Sequence, residues 1–229
     1  MYGLFIAAAI LIMLDFRVGF TDNLMPKIIF TFSKDGLVWL DFDILPTFIG
    51  AALLFAAIFA FSKRFDSHHL SSGKKLSAAL FVLSLLTFAQ CSGWFIADMN
   101  RASGSSTFNP GVISDILYTV LDIVCYILAV VALGCVSDGL RSAVGRNETT
   151  ASKEILDSAQ PYAFYFRTLC AIPVFIRIFL AIMNFDESVI LASVTAVIYH
   201  AFCIIPLICF VRYVKIIRIA LDGNKGAVK

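Results

Sequence analysis

Charge is scarce in this chain: only 15% of its 229 residues are charged, and the formal net charge is +2. So small a surplus gives no electrostatic reason to expect a nucleic-acid partner. Histidine is scarcer still. His68 and His69 are adjacent and His200 is far away, which does not supply the multi-histidine clusters of membrane desaturases or hydrolases. No G-x-S-x-G elbow, H-E-x-x-H helix or phosphate-binding glycine loop occurs. The cysteines, Cys91, Cys125, Cys135, Cys170, Cys203 and Cys209, never pair as C-x-x-C. All lie in or beside apolar runs, so they read as small buried hydrophobes rather than metal ligands or a disulfide frame. With these signatures missing, the chain is expected to be no enzyme and to hold no cofactor or metal.

What is abundant is apolar surface. Sixty per cent of the residues are hydrophobic and the mean hydropathy is +0.89, more than a water-soluble domain of this length can hide. Apolar stretches of about twenty residues read as membrane-spanning helices. The sequence predicts an all-α, single-domain bundle over 1–229 with six spans: about 1–20, 44–62, 76–97, 111–136, 162–183 and 188–211. A basic cytoplasmic tail, 212–229, follows. The start, "MYGLFIAAAILIML", has no basic flank, which favours a retained span over a cleaved signal. That span reaches residue 20 if Asp15 and Arg17 snorkel. Between the first two spans, "PKIIFTFSKDGLVWLDF" centres on a Lys34-Asp35-Gly36 turn signal. Residues 26–43 are expected to form a hairpin, or an interfacial element anchored by Phe30, Phe32 and Trp39.

Basic residues orient the bundle. The 63–75 loop holds Lys63, Arg64, Lys74 and Lys75, the 137–161 loop holds Arg141, Arg146 and Lys153, and the tail holds Arg212, Lys215, Arg218, Lys225 and Lys229. Opposite them, 98–110 has only Arg101, and "NFDE" (184–187) has no basic residue. The positive-inside rule therefore puts both termini in the cytoplasm. It also leaves the sequon at Asn147 on the cytosolic side, where it would stay unglycosylated. "VRYVKIIRIA" spaces Arg212, Lys215 and Arg218 by three, a stripe expected to lie against anionic lipid.

A few polar groups fall inside the expected spans. At about 1.5 Å of rise per residue, Asp115 lies roughly 6 Å below the outer end of its span, Gln90 and Arg177 roughly 10 Å, and Asp122 and His200 roughly 16 Å. Charge there is costly and usually faces the bundle interior, a partner or a wet cavity. Arg177, alone in "AIPVFIRIFLAIM", is expected to face inward and pair with Asp122 or Asp115 through its planar fork. Such a pair can also serve only to fix which helices pack together. Asp115 is equally well placed for its helix N-terminus, Gln90 for interhelical hydrogen bonding, and His200 for the core. Pro173 and Pro206 interrupt helices and free carbonyls for other partners.

"LDFRVGF", "ILPTFIGAALLFAAIFAFSKRF" and "LCAIPVFIRIFLAIM" resemble a family of uncharacterised fungal integral membrane proteins with seven helices. Pro173, Phe175 and Arg177 match that family's Pro-aromatic-x-x-Arg segment. The six spans expected here look like that family's pattern without its first helix. The resemblance implies a polytopic membrane protein, no known activity and no catalytic residues. The expected function is therefore a receptor-like or carrier-like bundle, with membrane lipids as its surroundings and a small ligand near Asp122, Arg177 and His200. The alternative is a structural or assembly factor whose polar groups only lock helices. A membrane enzyme using Asp122 and His200 is the least favoured reading.

Overall fold

A computed structural model describes residues 1–14, 17–20, 26–29, 42–43, 47–102, 112–146, 150–182 and 189–223, with side chains at 1–14, 47–89, 120–146, 153–176, 178–179 and 198–222. Among the described residues seven helices dominate: α1 (Tyr2–Met13), α2 (Thr47–Ser62), α3 (His68–Ala102), α4 (Val112–Gly145), α5 (Thr150–Leu169), α6 (Ala171–Ile182) and α7 (Val189–Gly223). Helical class is as expected. A small sheet is added to it, formed by β1 (Arg17–Phe20), β2 (Pro26–Ile29) and β3 (Phe42–Asp43).

The first expected span is corrected by this sheet. Helix α1 stops at Met13, and Leu14 is already extended at φ −98°, ψ 90°. Twelve residues rise about 18 Å, short of the roughly 30 Å of a hydrocarbon core. Asp15 lies outside the described residues, and Arg17 starts a strand, where the β-branched Val18 fits a pleated ladder. The hairpin expectation changes too. Strand β1 lies in the middle, with the order β2-β1-β3. It pairs antiparallel with β2, Arg17 opposite Ile29, and antiparallel with β3, Arg17 opposite Asp43. The strands on either side of the Lys34-Asp35-Gly36 signal thus flank β1 instead of pairing with each other. Pro26 sits at the end of an edge strand, where its missing N–H costs least. The turn signal itself, with Phe30, Phe32 and Trp39, lies outside the described residues.

The span expected over 162–183 is two helices. Cys170 separates α5 from α6, although its N–H still donates to the Phe166 carbonyl at 3.0 Å. Three residues later Pro173 has no N–H, and its ring would strike the carbonyl four residues back, that of Leu169. Two expected loops are also largely helical. Helix α4 runs through Gly145 and α5 starts at Thr150, within the 137–161 stretch. Helix α3 begins at His68, where Ser67 Oγ accepts the Leu70 N–H at 3.2 Å as a cap. Two thirds of the expected tail is helical as well, since α7 continues to Gly223.

Packing follows sequence order, α1 on α2, α2 on α3, α3 on α4; α5 then packs on α7, and α7 closes against α1 and α4. The seams use small residues. A Cβ on Gly50 of α2 would lie 2.8 Å from Ile12 Cγ1 and 2.9 Å from Leu11 Cβ of α1. A Cβ on Gly139 of α4 would lie 2.6 Å from Leu70 Cγ and Cδ2 of α3. Both glycines permit an approach that a side chain would force to loosen. Buried serines satisfy themselves on the preceding turn, as Ser84 Oγ does by donating to the Leu80 carbonyl at 2.6 Å.

Among the described residues, two helical segments are long and apolar enough to cross a membrane, His68–Ala89 and Val120–Gly145. Tyr2–Met13 and Thr47–Ser62 are apolar but shorter. This is fewer than the six spans expected.

Candidate functional site

The residues singled out in sequence divide between described and undescribed positions. Asp115 and Asp122 are on α4, Arg177 on α6, His200 on α7 and Gln90 on α3. The side chains of Asp115, Arg177 and Gln90 lie outside the described residues, and so does the Arg177 pairing expected with Asp122 or Asp115. Asp122 is half-buried and His200 is buried, and each is engaged by a neighbour. One such contact is the His200 ring edge-on to Tyr199 at 5.2 Å. Tyr126 of α4 and Tyr199 and Cys203 of α7 form a small core of their own, packed against Val174 and Ile176 of α6. The three helices carrying Asp122, Arg177 and His200 therefore meet, and α3, with Gln90, also packs against α4.

A second polar cluster was not singled out in the sequence. It lies where α4, α5 and α7 converge at the end of the bundle that also holds the α2–α3 turn. The Arg167 Nη2 of α5 pairs with Asp138 Oδ1 of α4 and also donates to Ser137 Oγ at 3.2 Å. From α7 the buried Tyr213 donates its hydroxyl to the Ser137 carbonyl at 2.7 Å. Burial pushes the Tyr213 phenol well above its ordinary value, and Asp138 pushes it further. Arg141, Arg167 and a hydrogen bond with Ser137 pull the other way. The phenol therefore stays protonated and remains a donor. These residues, with Arg141, Leu156, Gln160, Ala163 and Phe164, line a cavity of about 170 Å³.

The same end gathers most of the described cations. Arg146 Nη2 donates to the Asp66 carbonyl, tying the end of α4 to the α2–α3 turn. Lys63 and Lys74 both place their ammonium groups 4.7 Å from the centre of the Phe59 ring. Arg212 stands over Tyr162 at 5.9 Å, and Arg218 pairs with Asp222 one turn on at 3.2 Å. Tyr2 feels the fields of Asp222, Arg218 and Arg64 together, so the first turn of α1 belongs to this end too.

A sequence signal for the second cluster did exist. Arg167 is the one charge in "PYAFYFRTL", at the cytoplasmic end of its expected span, and Asp138 lies two residues past the matching end of the α4 span. Opposite charges at equal depth on neighbouring helices predict a pair. Treating 137–161 as a loop hid that depth. No protein-family model, curated protein or solved structure matches the chain.

Proposed function

We propose that this chain is a multi-pass integral membrane protein that acts as a receptor-like or carrier-like bundle and has no catalytic activity. It would cross the bilayer six times, with α5 and α6 together making one broken crossing and both termini on the basic, cytoplasmic side. Its ligand would be small and polar, held where α4, α6 and α7 meet near Asp122, Arg177 and His200, with Asp115 and Gln90 at its margin. The likeness to the fungal seven-helix family belongs to the same proposal, as a polytopic membrane protein of no assigned activity.

The observation that carries this proposal is the outer surface. Val120, Val124, Ile127 and Val131 are exposed along one face of α4, Val82, Leu85 and Leu86 on α3, and Ile198, Ile204, Ile205 and Ile208 on α7. Meanwhile Ser77, Ser84, Ser137 and His200 are buried. Large aliphatics facing out over contiguous stripes, with small and polar groups in the seams, suit hydrocarbon and are unfavourable in water. Cations collected at one end supply the expected orientation.

Single cysteines at 66, 146 and 223, probed with a membrane-impermeant maleimide in sealed vesicles, test the topology. All three should react from the same side; labelling from opposite sides would exclude six crossings with this orientation. For the binding role, Asp122→Asn should impair assembly or the signalling or transport phenotype. Unchanged expression, stability and phenotype would remove it. A structural role is the second reading, supported by the side-chain-free seams at Gly50 and Gly139. That reading predicts that His200→Ala, once folded, loses nothing further.

A further inference from the structure

The cavity between α4, α5 and α7 is distinct from the Asp122–Arg177–His200 region and has its own charge balance. Arg141 and Arg167 face it with Asp138 as the acidic group in the lining, an excess of one positive charge. Arg167 makes both of its hydrogen bonds through Nη2. Among the described residues its Nε and Nη1 donors have no protein acceptor, and no acidic side chain pairs with Arg141. A guanidinium presents five N–H donors in a rigid fork suited to phosphate oxygens. Gln160 adds an exposed amide at the rim. The buried Tyr213 hydroxyl, bonded to the Ser137 carbonyl, keeps the floor of the cavity fixed.

Size and position narrow the ligand further. About 170 Å³ is below the roughly 300–1,000 Å³ that encloses a small organic molecule. It is room for one compact anionic group. Phe164 lines the cavity and is 63% exposed, and the neighbouring Tyr165, 52% exposed, stands edge-to-face with it at 5.9 Å. Aromatic side chains of this kind favour the level of lipid headgroups.

We infer that the cavity framed by Arg141, Arg167, Asp138 and Gln160 binds one phosphate ester group, offered by an anionic lipid whose acyl chains pass Phe164 and Tyr165. The lipid as source rests on the membrane proposal above; the phosphate chemistry of the cavity does not. The phosphate takes the free edge of Arg167 and the fork of Arg141, while Asp138 and Ser137 keep Nη2. This contact differs in kind from the exposed Lys215 and Arg218 stripe, which attracts anionic surfaces without a defined site.

The test is native mass spectrometry of the full chain, purified in neutral detergent and exchanged against phosphatidylcholine vesicles doped with phosphatidic acid. One phosphatidic acid should be retained per chain. Arg141→Ala, at an exposed position that leaves the Arg167–Asp138 pair intact, should weaken retention by about tenfold, as expected for one charge-assisted contact. Lys215→Ala with Arg218→Ala should leave retention unchanged. If the stripe variant loses as much as Arg141→Ala, attraction is diffuse and the site is disproved. Glycerol phosphate added as competitor separates the sources: failure to displace the lipid supports the headgroup, whereas full displacement overturns it in favour of a soluble phosphate. Release of the chain from membranes by alkaline carbonate would overturn the membrane proposal separately. In that event glycerol phosphate titrated onto wild type and Arg141→Ala decides the cavity chemistry alone.

Discussion

The α1–α2 seam and the α4–α5–α7 junction join helices in opposite ways. The first is knit by absence of bulk: Gly50 lets α2 reach α1, and the apolar Phe5, Ala8, Ala9 and Ile12 share one buried core with Ala51, Leu54, Ala57 and Phe61. The second is knit by polar groups, through Arg167, Asp138, Ser137 and Tyr213. In apolar surroundings close packing needs no partner to be satisfied, whereas each polar group becomes a liability once its partner is lost. The apolar seam should therefore be broken by adding atoms, and the polar junction by removing them.

The largest effect should come from Gly50→Ala. Its new methyl would meet Leu11 Cβ and, at 3.1 Å, the Ile12 backbone nitrogen, neither of which can swing aside. A loss of about 3 kcal/mol, at the upper end for overpacking, should appear in denaturant unfolding in detergent. Gly139→Ala is a sharper version, because the clash there is with the Leu70 side chain alone. It should cost about 1–3 kcal/mol and be partly rescued by Leu70→Ala in a double-mutant cycle. A Gly139→Ala protein as stable as the parent would show that the α3–α4 approach is looser than described.

At the polar junction, Tyr213→Phe should cost about 1 kcal/mol for the buried hydroxyl bond. A pH series sharpens this. Because burial raises the folded phenol above the ordinary value of 10.0, the folded state holds its proton longer than the unfolded chain. The stabilisation is complete below about pH 10 and declines as pH rises beyond it. The parent should lose stability in that alkaline range more steeply than Tyr213→Phe; parallel profiles would refute the assignment. The smallest effect should be Arg218→Ala, which breaks an exposed pair with Asp222 and should change stability by only a few tenths of a kcal/mol.

Particular residues show how far sequence reasoning reached. Charge alone assigns Lys63, Arg64, Lys74 and Arg146 to one end, and α2, α3 and α4 bring that end together. Pro173 and Pro206 both read as interruptions; the helix breaks just before Pro173, whereas α7 runs through Pro206 without a break. Helix termini were less legible. Apolar periodicity fades where a helix leaves the hydrophobic layer, so the continuation of α4 to Gly145 looked like loop. Strand pairing was illegible for another reason: a turn signal at Lys34-Asp35-Gly36 says nothing about a third strand, β1, arriving from earlier in the chain.

Composition and order by themselves determined that this chain is a helical protein with far more apolar surface than a core can hide, and that its cations gather at one end. Those properties are sums and alternations along the chain, so no contact is needed to read them. Only the tertiary structure decided that Gly50 and Gly139 are points of closest approach, and that Arg167 finds Asp138 beside the Tyr213 hydroxyl. Which side chains meet depends on the rotation and depth of each helix against its neighbour. Packing fixes these, and hydropathy does not encode them.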